Sequence, residues 1–296
     1  MAKNLTRRDF LKHTGQASIA GALYLSNPGI IYGNQSKKSR VVLIRHKDVL
    51  DDNGQPRKAI LADMLDEAVS TLLQESDIQK AWQQIIKPDD VVGIKTNVWH
   101  LLPTPPMLND LLTERVQQSG VTENQIGVKD RGLLSDAIFK KASALINVRP
   151  MRTHDWSGVG SLIKNYIMFV EKPYAYHDDS CADLASIWHL PHVKGKTRLN
   201  ILVMLTPLFH GVGPHHFNPK YVWQYDGLLV GMDPVAVDAM GVRILQAKRK
   251  AYFGEDRPIN PPPKHIRMAD ERHHLGTADP AKIDLIYRGW AEDRYI

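Results

Sequence analysis

Short runs of apolar residues alternate along the chain with longer segments in which apolar residues recur at helical spacing. A short apolar run bounded by turn residues predicts a buried strand, and the spaced pattern predicts an amphipathic helix. Seven runs predict strands: Val41–His46, Val91–Thr96, Ile126–Lys129, Ala144–Val148, Asn200–Leu205, Leu228–Val230 and Ile283–Ile286. Five segments predict helices: Ala59–Leu73, Ile78–Ile86, Leu108–Gln118, Asp233–Gln246 and His265–His274.

The interleaving of strands and helices predicts an α/β fold with a mostly parallel sheet and helices on both faces. No linker divides residues 37–296, which we interpret as a single α/β domain. Segments 97–107, 206–226 and 254–264 are rich in proline, glycine, histidine and aromatic residues, and they predict long loops. Ligands of open α/β sheets bind beyond the carboxyl ends of strands. Polar residues that follow strands are therefore the first candidates for a functional site.

Residues 1–36 have the pattern of an export signal followed by a linker. The segment Thr6–Lys12 reads TRRDFLK and precedes the apolar stretch Ala17–Leu25. That stretch is shorter than the roughly 20 apolar residues of a membrane span, so we predict no stable transmembrane span. The paired arginines resemble the twin-arginine signal. We therefore predict an exported, periplasmic or extracytoplasmic protein that engages the twin-arginine export machinery.

Charge and cysteine content narrow the classes of function. The net charge of +6 divides evenly, because residues 1–36 carry four basic residues against one acidic and the remainder carries 34 against 31. A body with so small an excess and no basic stripe does not indicate nucleic-acid binding. The single cysteine, Cys181, excludes an intrachain disulfide and a cysteine-ligated zinc or iron–sulfur site. We interpret Cys181 as a buried thiol, since the sequence shows no basic cluster beside it.

Two polar motifs lie at or after predicted strands. The strand Val91–Thr96 carries Lys95 near its carboxyl end and is followed by Asn97. Such a lysine indicates either a clamp for an anion or a side chain that extends to solvent. The second motif has Thr153 and His154, then a Gly-x-Gly turn over 158–160, then Lys164 and Asn165. A glycine-rich turn at a helix start leaves backbone N–H groups available to an anion.

The third motif joins a strand to a helix through Gly231-Met232-Asp233-Pro234. Asp233 stands where a helix N-cap belongs, and capping alone accounts for it. Asp238 lies inside the helix between apolar neighbours, so its burial requires a partner. Lys95 and Lys164 are the candidate partners.

The order of these three motifs resembles the domain of unknown function 362 family, in its exported twin-arginine branch. The resemblance covers about residues 41–290, and Lys87–Asn97 and Gly231–Asp238 match best. Arg152 stands where the family usually has lysine. The resemblance implies an α/β domain with a shared polar pocket, and it implies no iron–sulfur cluster, because this chain lacks the cysteine-rich segment of some members. It marks eight motif positions without assigning roles: Lys95, Asn97, Thr153, His154, Lys164, Asn165, Asp233 and Asp238.

Our leading hypothesis is an enzyme or binding protein for a small anionic ligand. Lys95 and Lys164 supply positive charge, and His154 acts as a general acid or base tuned by Asp238. Three polar side chains orient the ligand by hydrogen bonds: Thr153, Asn97 and Asn165. Asp233 completes the predicted ligand-binding set.

Two other classes of function stay open at this stage. A metal or redox centre would use His154, or His210 with His215, together with Asp233 or Asp238. Export of a folded protein favours a cofactor inserted before transport, and a transition metal is one such group. A non-catalytic partner of an envelope enzyme complex would use exposed aromatic anchors, for which the candidates are Trp156, Trp188 and Trp223.

Overall fold

The computed structural model describes residues 38–213 and 216–296. The predicted signal segment, residues 1–36, and the candidate ligand His215 lie outside the described residues. Within these residues eight strands form one sheet: β1 (Ser39–Arg45), β2 (Val92–Lys95), β3 (Ile126–Lys129), β4 (Ala144–His154), β5 (Gly158–Gly160), β6 (Thr197–Gly213), β7 (Gly227–Gly231) and β8 (Ile283–Gly289). The helices are α1 (Lys58–Leu73), α2 (Ile78–Ile85), α3 (Pro106–Gln118), α4 (Ala137–Lys141), α5 (Leu162–Asn165), α6 (Asp178–Cys181), α7 (Pro234–Phe253) and α8 (Lys264–Glu271).

The strand order is β3-β2-β4-β6-β7-β1-β8, with β5 paired to β4 beside this path. Four pairings are parallel: β2 with β3, β2 with β4, β4 with β6, and β1 with β8. Three are antiparallel: β1 with β7, β6 with β7, and β4 with β5. The predicted α/β class with a mostly parallel sheet is therefore confirmed.

Each face of the sheet has its own hydrophobic core. Along β1 the side chains of Val41 and Leu43 enter one cluster, and those of Val42 and Ile44 enter the other, as the two-residue period of a strand requires. Helices α1, α2 and α3 cover the Val42 face, whereas α7 and α8 cover the Val41 face. The expected helices on both faces are present.

Two predicted strands are longer than their apolar runs. The run Ala144–Val148 continues as β4 to His154, and all eleven residues of that strand are buried, including Arg149 and Arg152. The run Asn200–Leu205 continues as β6 through Gly213, into a segment predicted as a loop. Polar residues and prolines hide these extensions from a hydrophobicity pattern. The extension of β4 carries Arg149, Arg152 and His154 past the end of β2, where they line a cavity.

The Gly-x-Gly segment was expected to be a turn at a helix start, and that expectation is wrong. Gly158–Gly160 forms β5 and pairs antiparallel with Arg152–His154 of β4. A Cβ atom at Gly160 would lie 2.7 Å from Nη2 of Arg149. Glycine is needed there because the β5 backbone passes directly against a buried guanidinium.

Candidate functional site

A cavity of about 280 Å³ lies at the carboxyl ends of β2, β3 and β4. This is the edge at which open α/β sheets bind ligands. Its polar lining comes from the loop after β2, the segment after β3, the extended part of β4, and α5 with residues near it. The polar lining residues are Asn97, Asp130, Arg131, Arg149, Arg152, His154, Lys164, Asn165 and His177. Four of the eight residues predicted from the sequence are among them: Asn97, His154, Lys164 and Asn165.

Lys95 lies behind these lining residues and forms a buried ion pair with Asp130. Its Nζ donates to Asp130 Oδ1 at 2.6 Å, to the carbonyl of Thr96 at 2.7 Å and to Asn165 Oδ1 at 3.1 Å. Burial lowers the pKa of Lys95 to about 8 despite the charge of Asp130. Burial alone would raise the pKa of Asp130, but the charge of Lys95 and its hydrogen bond leave that pKa below its usual value. The partner of Lys95 is therefore Asp130, and its charge is already matched.

Asn165 connects α5 to the floor of the cavity. Its Nδ2 donates to the carbonyl of Lys95 at 3.1 Å and to Asn147 Oδ1 at 2.8 Å. Asn147 in turn donates to the carbonyl of Leu162 at 3.1 Å and to Asn200 Oδ1 at 3.2 Å. Such a satisfied buried amide network fixes one position of the helix. Asn165 thus positions its neighbours in addition to lining the cavity.

Five polar lining residues were not predicted as site residues: Asp130, Arg131, Arg149, Arg152 and His177. Arg149 and Arg152 are the buried cations among them. They are 4% and 5% exposed, and in the described part of the chain neither has a carboxylate within 4.0 Å. Arg149 makes one long contact, 3.5 Å to the carbonyl of Ser161, and its Nε has no hydrogen-bond partner. Arg152 donates to Asn97 Oδ1 at 3.0 Å and lies over the ring of Trp99 at 4.3 Å.

Because neither arginine has a carboxylate partner in the described chain, burial is the largest influence on the pKa of each. Burial lowers the pKa of Arg149 to about 10, although Asp130 and Asp238 act in the opposite direction. Burial and the neighbouring charge of Arg149 put the pKa of Arg152 well below its usual value. Arginine is almost never buried unless it is paired. The signal in the sequence was the position of both arginines just after the apolar run Ala144–Val148.

Lys164 adds a third cation to the cavity wall. It is 3% exposed, and its Nζ contacts Cys181 Sγ at 3.6 Å. Burial lowers the pKa of Lys164 to about 8; Cys181 opposes this effect, and Arg149 and Arg152 reinforce it. Burial raises the pKa of the Cys181 thiol against the influence of Lys164. Cys181 is buried as expected, and the basic group beside it, Lys164, comes from a position 17 residues earlier in the sequence.

His154 faces the cavity as a neutral imidazole. Its Nδ1 accepts a hydrogen bond from the backbone N–H of Trp156 at 3.3 Å, which leaves the proton of the neutral ring on Nε2. Burial lowers the pKa of His154 far below its usual value, and Lys164, Arg149 and Arg152 lower it further. Asp238 is not among the groups that shift it. A general-acid role that begins from the imidazolium therefore lacks support in this geometry.

Besides Lys95, three predicted residues lie away from the cavity lining: Asp238, Asp233 and Thr153. Asp238 accepts hydrogen bonds from the N–H groups of Leu162 and Ile163, both at 2.9 Å, and from Ser161 Oγ at 2.7 Å. It occupies the N–H groups at the start of α5 that were expected to bind an anion, and its partners are neither Lys95 nor Lys164. Burial raises the pKa of Asp238 to about 6.

Asp233 and Thr153 also make internal contacts. Asp233 caps α7 through the N–H groups of Val235 and Ala236, and it accepts from Ser39 Oγ at 2.7 Å. The capping interpretation of Asp233 is therefore confirmed. Thr153 donates to the carbonyl of Gly211 at 3.1 Å, where it joins β4 to β6.

The alternative hypotheses meet specific contacts as well. Among the described residues no group of three or more histidine, cysteine, aspartate or glutamate side chains is placed to hold a metal ion. His210 Nδ1 lies 2.9 Å from a guanidinium nitrogen of Arg249. Trp188 is buried and stacks on Tyr166, and Trp223 packs against Phe209 and Tyr225. Trp156 is 45% exposed and stacks on His177 at 4.1 Å, at the side of the cavity.

Comparison of the sequence with known proteins identifies the family of this chain. No curated protein matches the chain. No solved structure matches it either. In the described residues no helix has the length and apolar composition that a membrane crossing requires. The model of the family described as Domain of unknown function (DUF362) matches residues 92–243, from the start of β2 into α7, and this span contains every lining residue named above. The chain belongs to the DUF362 family.

Proposed function

We propose that the protein binds a small anionic ligand, with a carboxylate or phosphate group, in the cavity between β2, β4 and α5. One observation carries the proposal: Arg149 and Arg152 are buried beside the cavity and have no carboxylate partner in the described chain. Removing a charge from water is unfavourable unless a counter-charge and hydrogen bonds compensate. A ligand anion would supply both.

The charge of the cavity supports an anion over a neutral ligand. Its lining contains Arg149, Arg152 and Lys164, and the charge of the one lining carboxylate, Asp130, is matched by Lys95 behind it. Guanidinium groups present paired N–H donors that fit carboxylate and phosphate oxygens. The cavity therefore holds an excess of positive charge directed at one small space.

The remaining walls support a compact ligand held by directed hydrogen bonds. The Nε2–H of His154 and the amide of Asn97 are neutral polar groups in the lining. Trp99 and Trp156 form apolar side walls. The volume of about 280 Å³ is at the lower end of ligand sites, which are about 300–1,000 Å³. A metabolite-sized anion fits this space better than a large cofactor.

The direct test is calorimetric titration of the protein with phosphate and a series of small carboxylates. Arg149→Met and Arg152→Met each remove one cavity cation, and we expect each to weaken binding at least tenfold, since a hydrogen bond to a charged group contributes about 1.5–3 kcal/mol. Lys172→Met is the matched control, because Lys172 is exposed and adjoins the lining residue Pro173. Equal affinities in wild type and both arginine variants would refute the proposal.

We also propose export through the twin-arginine pathway, with an extracytoplasmic location for the folded domain. The support is the sequence pattern Thr6–Lys12 followed by the apolar stretch Ala17–Leu25. Replacing both Arg7 and Arg8 with lysine keeps the charge and removes the arginine pair. We expect this variant to remain in the cytoplasmic fraction while the parent chain is recovered outside it. Equal distribution of the two chains would contradict the proposal.

A further inference from the structure

Lys164 differs from Lys95 in how its ammonium group is satisfied. Lys95 donates to three oxygen acceptors, one of them a carboxylate. Lys164 lines the cavity, and Cys181 Sγ at 3.6 Å is its hydrogen-bond partner in the described chain. A thiol sulfur is a weak acceptor. The protonated form of Lys164 is therefore poorly stabilised. In its neutral form, the Nζ atom would present a lone pair to the cavity.

The surrounding cations act in the same direction. Arg149 and Arg152 line the same cavity, and both disfavour a positive charge on Lys164. With a pKa of about 8, about one-tenth of Lys164 is unprotonated at pH 7, roughly 300-fold more than for a lysine at its usual value. Desolvation and an adjacent cationic group are the conditions that activate a lysine as a nucleophile toward carbonyl compounds.

We propose that Lys164 forms a Schiff base with a small oxo acid whose carboxylate binds to Arg149 and Arg152. This inference rests on the proposed anion site and assigns its substrate class. Both halves of the ligand find partners in one cavity: the carboxylate meets two guanidinium groups, and the carbonyl carbon meets an amine. A simple carboxylate without a carbonyl would use only the first half of the site.

The covalent step consumes the amine, the carbonyl group and one proton from solvent, and it releases one water molecule. The Lys164 nitrogen attacks the carbonyl carbon, and one amine proton moves to the carbonyl oxygen to give a carbinolamine. Loss of that oxygen as water, with one more proton added to it, leaves the carbon–nitrogen double bond with the nitrogen protonated. The Nε2–H of neutral His154, which lines the same cavity, is a hydrogen-bond donor for the departing oxygen.

Cys181 is the competing nucleophile in this part of the molecule. It is fully buried, and burial raises the pKa of its thiol. Thiols react as thiolates, so Cys181 is held in its unreactive form. Burial, acting against the influence of Lys164, thus leaves the lysine as the group that reacts. Cyanoborohydride reduces an imine but not a thiohemiacetal, so the trapped adduct reports on an amine.

The experiment is reductive trapping on the folded chain. The protein is incubated with glyoxylate or pyruvate and cyanoborohydride, and intact-mass and peptide mass spectrometry locate the adduct. Acetaldehyde, which has a carbonyl and no carboxylate, and lactate, which has a carboxylate and no ketone, are run in parallel. We expect one adduct per chain, equal in mass to the oxo acid less one oxygen, located on Lys164.

Variants make the assignment specific. Lys164→Arg keeps the positive charge but cannot form the imine, so we expect loss of the adduct with less than a tenfold change in lactate affinity. Lys172→Arg, at an exposed lysine near the cavity, keeps the adduct on Lys164. If Lys164→Arg does not fold, peptide mapping of the wild-type adduct decides the question by itself.

The outcomes separate this inference from the proposed function. Saturable binding of lactate and pyruvate without a trapped adduct overturns the Schiff base and leaves the anion site standing. An adduct spread over exposed lysines also overturns it. Absence of both binding and trapping refutes the anion site itself.

Discussion

Replacing Arg149 with methionine should stabilise the protein in the absence of an anion. Methionine fills a similar volume without a charge. The guanidinium it removes has a single long hydrogen bond, 3.5 Å to the carbonyl of Ser161, and an Nε without a partner. The folded protein therefore keeps a buried charge whose compensation depends on a ligand. Removing an unpaired buried charge is one of the few changes inside a fold that should raise stability.

The size of the effect follows from the shift in pKa. Burial lowers the pKa of Arg149 from 12.5 to about 10, and each pKa unit corresponds to about 1.4 kcal/mol, so the buried charge costs about 3 kcal/mol. The lost hydrogen bond to Ser161 offsets about 1 kcal/mol of this gain. We expect Arg149→Met to raise the free energy of unfolding by about 2 kcal/mol, which corresponds to about 4–8 °C in Tm.

The assay is urea unfolding followed by circular dichroism in buffer free of phosphate and carboxylates, since a bound anion stabilises the folded state by an amount that grows with the anion concentration. Arg249→Met is the matched control. Arg249 is also 5% exposed, but its guanidinium donates to the carbonyls of Phe209, Arg257 and Pro258 at 2.8–3.1 Å. Its removal leaves those acceptors unsatisfied, and we expect it to destabilise the protein by about 3 kcal/mol.

Adding a ligand anion should reverse the order of the two proteins. Wild type should gain stability with increasing anion concentration, whereas Arg149→Met should gain little. If Arg149→Met instead destabilises the protein as strongly as Arg249→Met, then Arg149 is part of the structural framework. That result would refute the reasoning that an unpaired charge at this site awaits a ligand.

Three further predictions concern the same cavity. Because burial lowers the pKa of Lys164 to about 8, anion affinity measured by calorimetry should fall as pH rises through 8, by up to about tenfold per pH unit. The fall should be less steep in Lys164→Met. An affinity of wild type that does not change with pH would contradict this prediction. Because the pKa of His154 is lowered in the folded state, only the unfolded chain takes up this proton below about pH 6.5, and the free energy of unfolding should fall with acidification. His154→Asn should flatten that dependence by about 1.4 kcal/mol per pH unit between pH 6 and 4. Identical slopes in urea unfolding of the two proteins would contradict this prediction. Asp130→Asn should destabilise the protein by about 3–5 kcal/mol in urea unfolding because Lys95 loses its counter-charge, and the added Lys95→Met change should recover most of the loss; additive losses would contradict it.

The extent of sequence-based prediction differs between the fold and the site. Ile126–Lys129 is predicted to the residue, and Ala59–Leu73 begins one residue after α1 does, because apolar periodicity reports which residues are buried in each element. The strand predicted to end at Val148 is too short, since Arg149 and Arg152 interrupt the apolar run. Those arginines are buried in a strand because a cavity lies beside them, and hydrophobicity patterns carry no information about cavities.

The polar residues predicted for the site fall into two groups in the structure, those that line the cavity and those that bind backbone N–H groups. Lys164 and His154 line the cavity, whereas Asp238 and Asp233 hold the starts of two helices. All four follow strands in the sequence, so position along the chain does not separate them. Their separation depends on which backbone N–H groups lie within hydrogen-bond distance. For Asp238 those groups come from residues more than 70 positions away.

The sequence by itself determined the α/β class, seven of the eight described strands and the five longest described helices. It also determined the edge of the sheet where polar residues gather. These properties depend on local periodicity and on the general geometry of parallel sheets. Only the tertiary structure decided which charges are matched. Lys95 pairs with Asp130, which lies 35 positions away in the sequence. Asp238 accepts hydrogen bonds from backbone N–H groups at the start of α5. Arg149 and Arg152 have no carboxylate partner in the described chain. Pairing of buried charges depends on distances of a few ångströms between distant segments, and it leaves the unmatched positive charge that defines the proposed site.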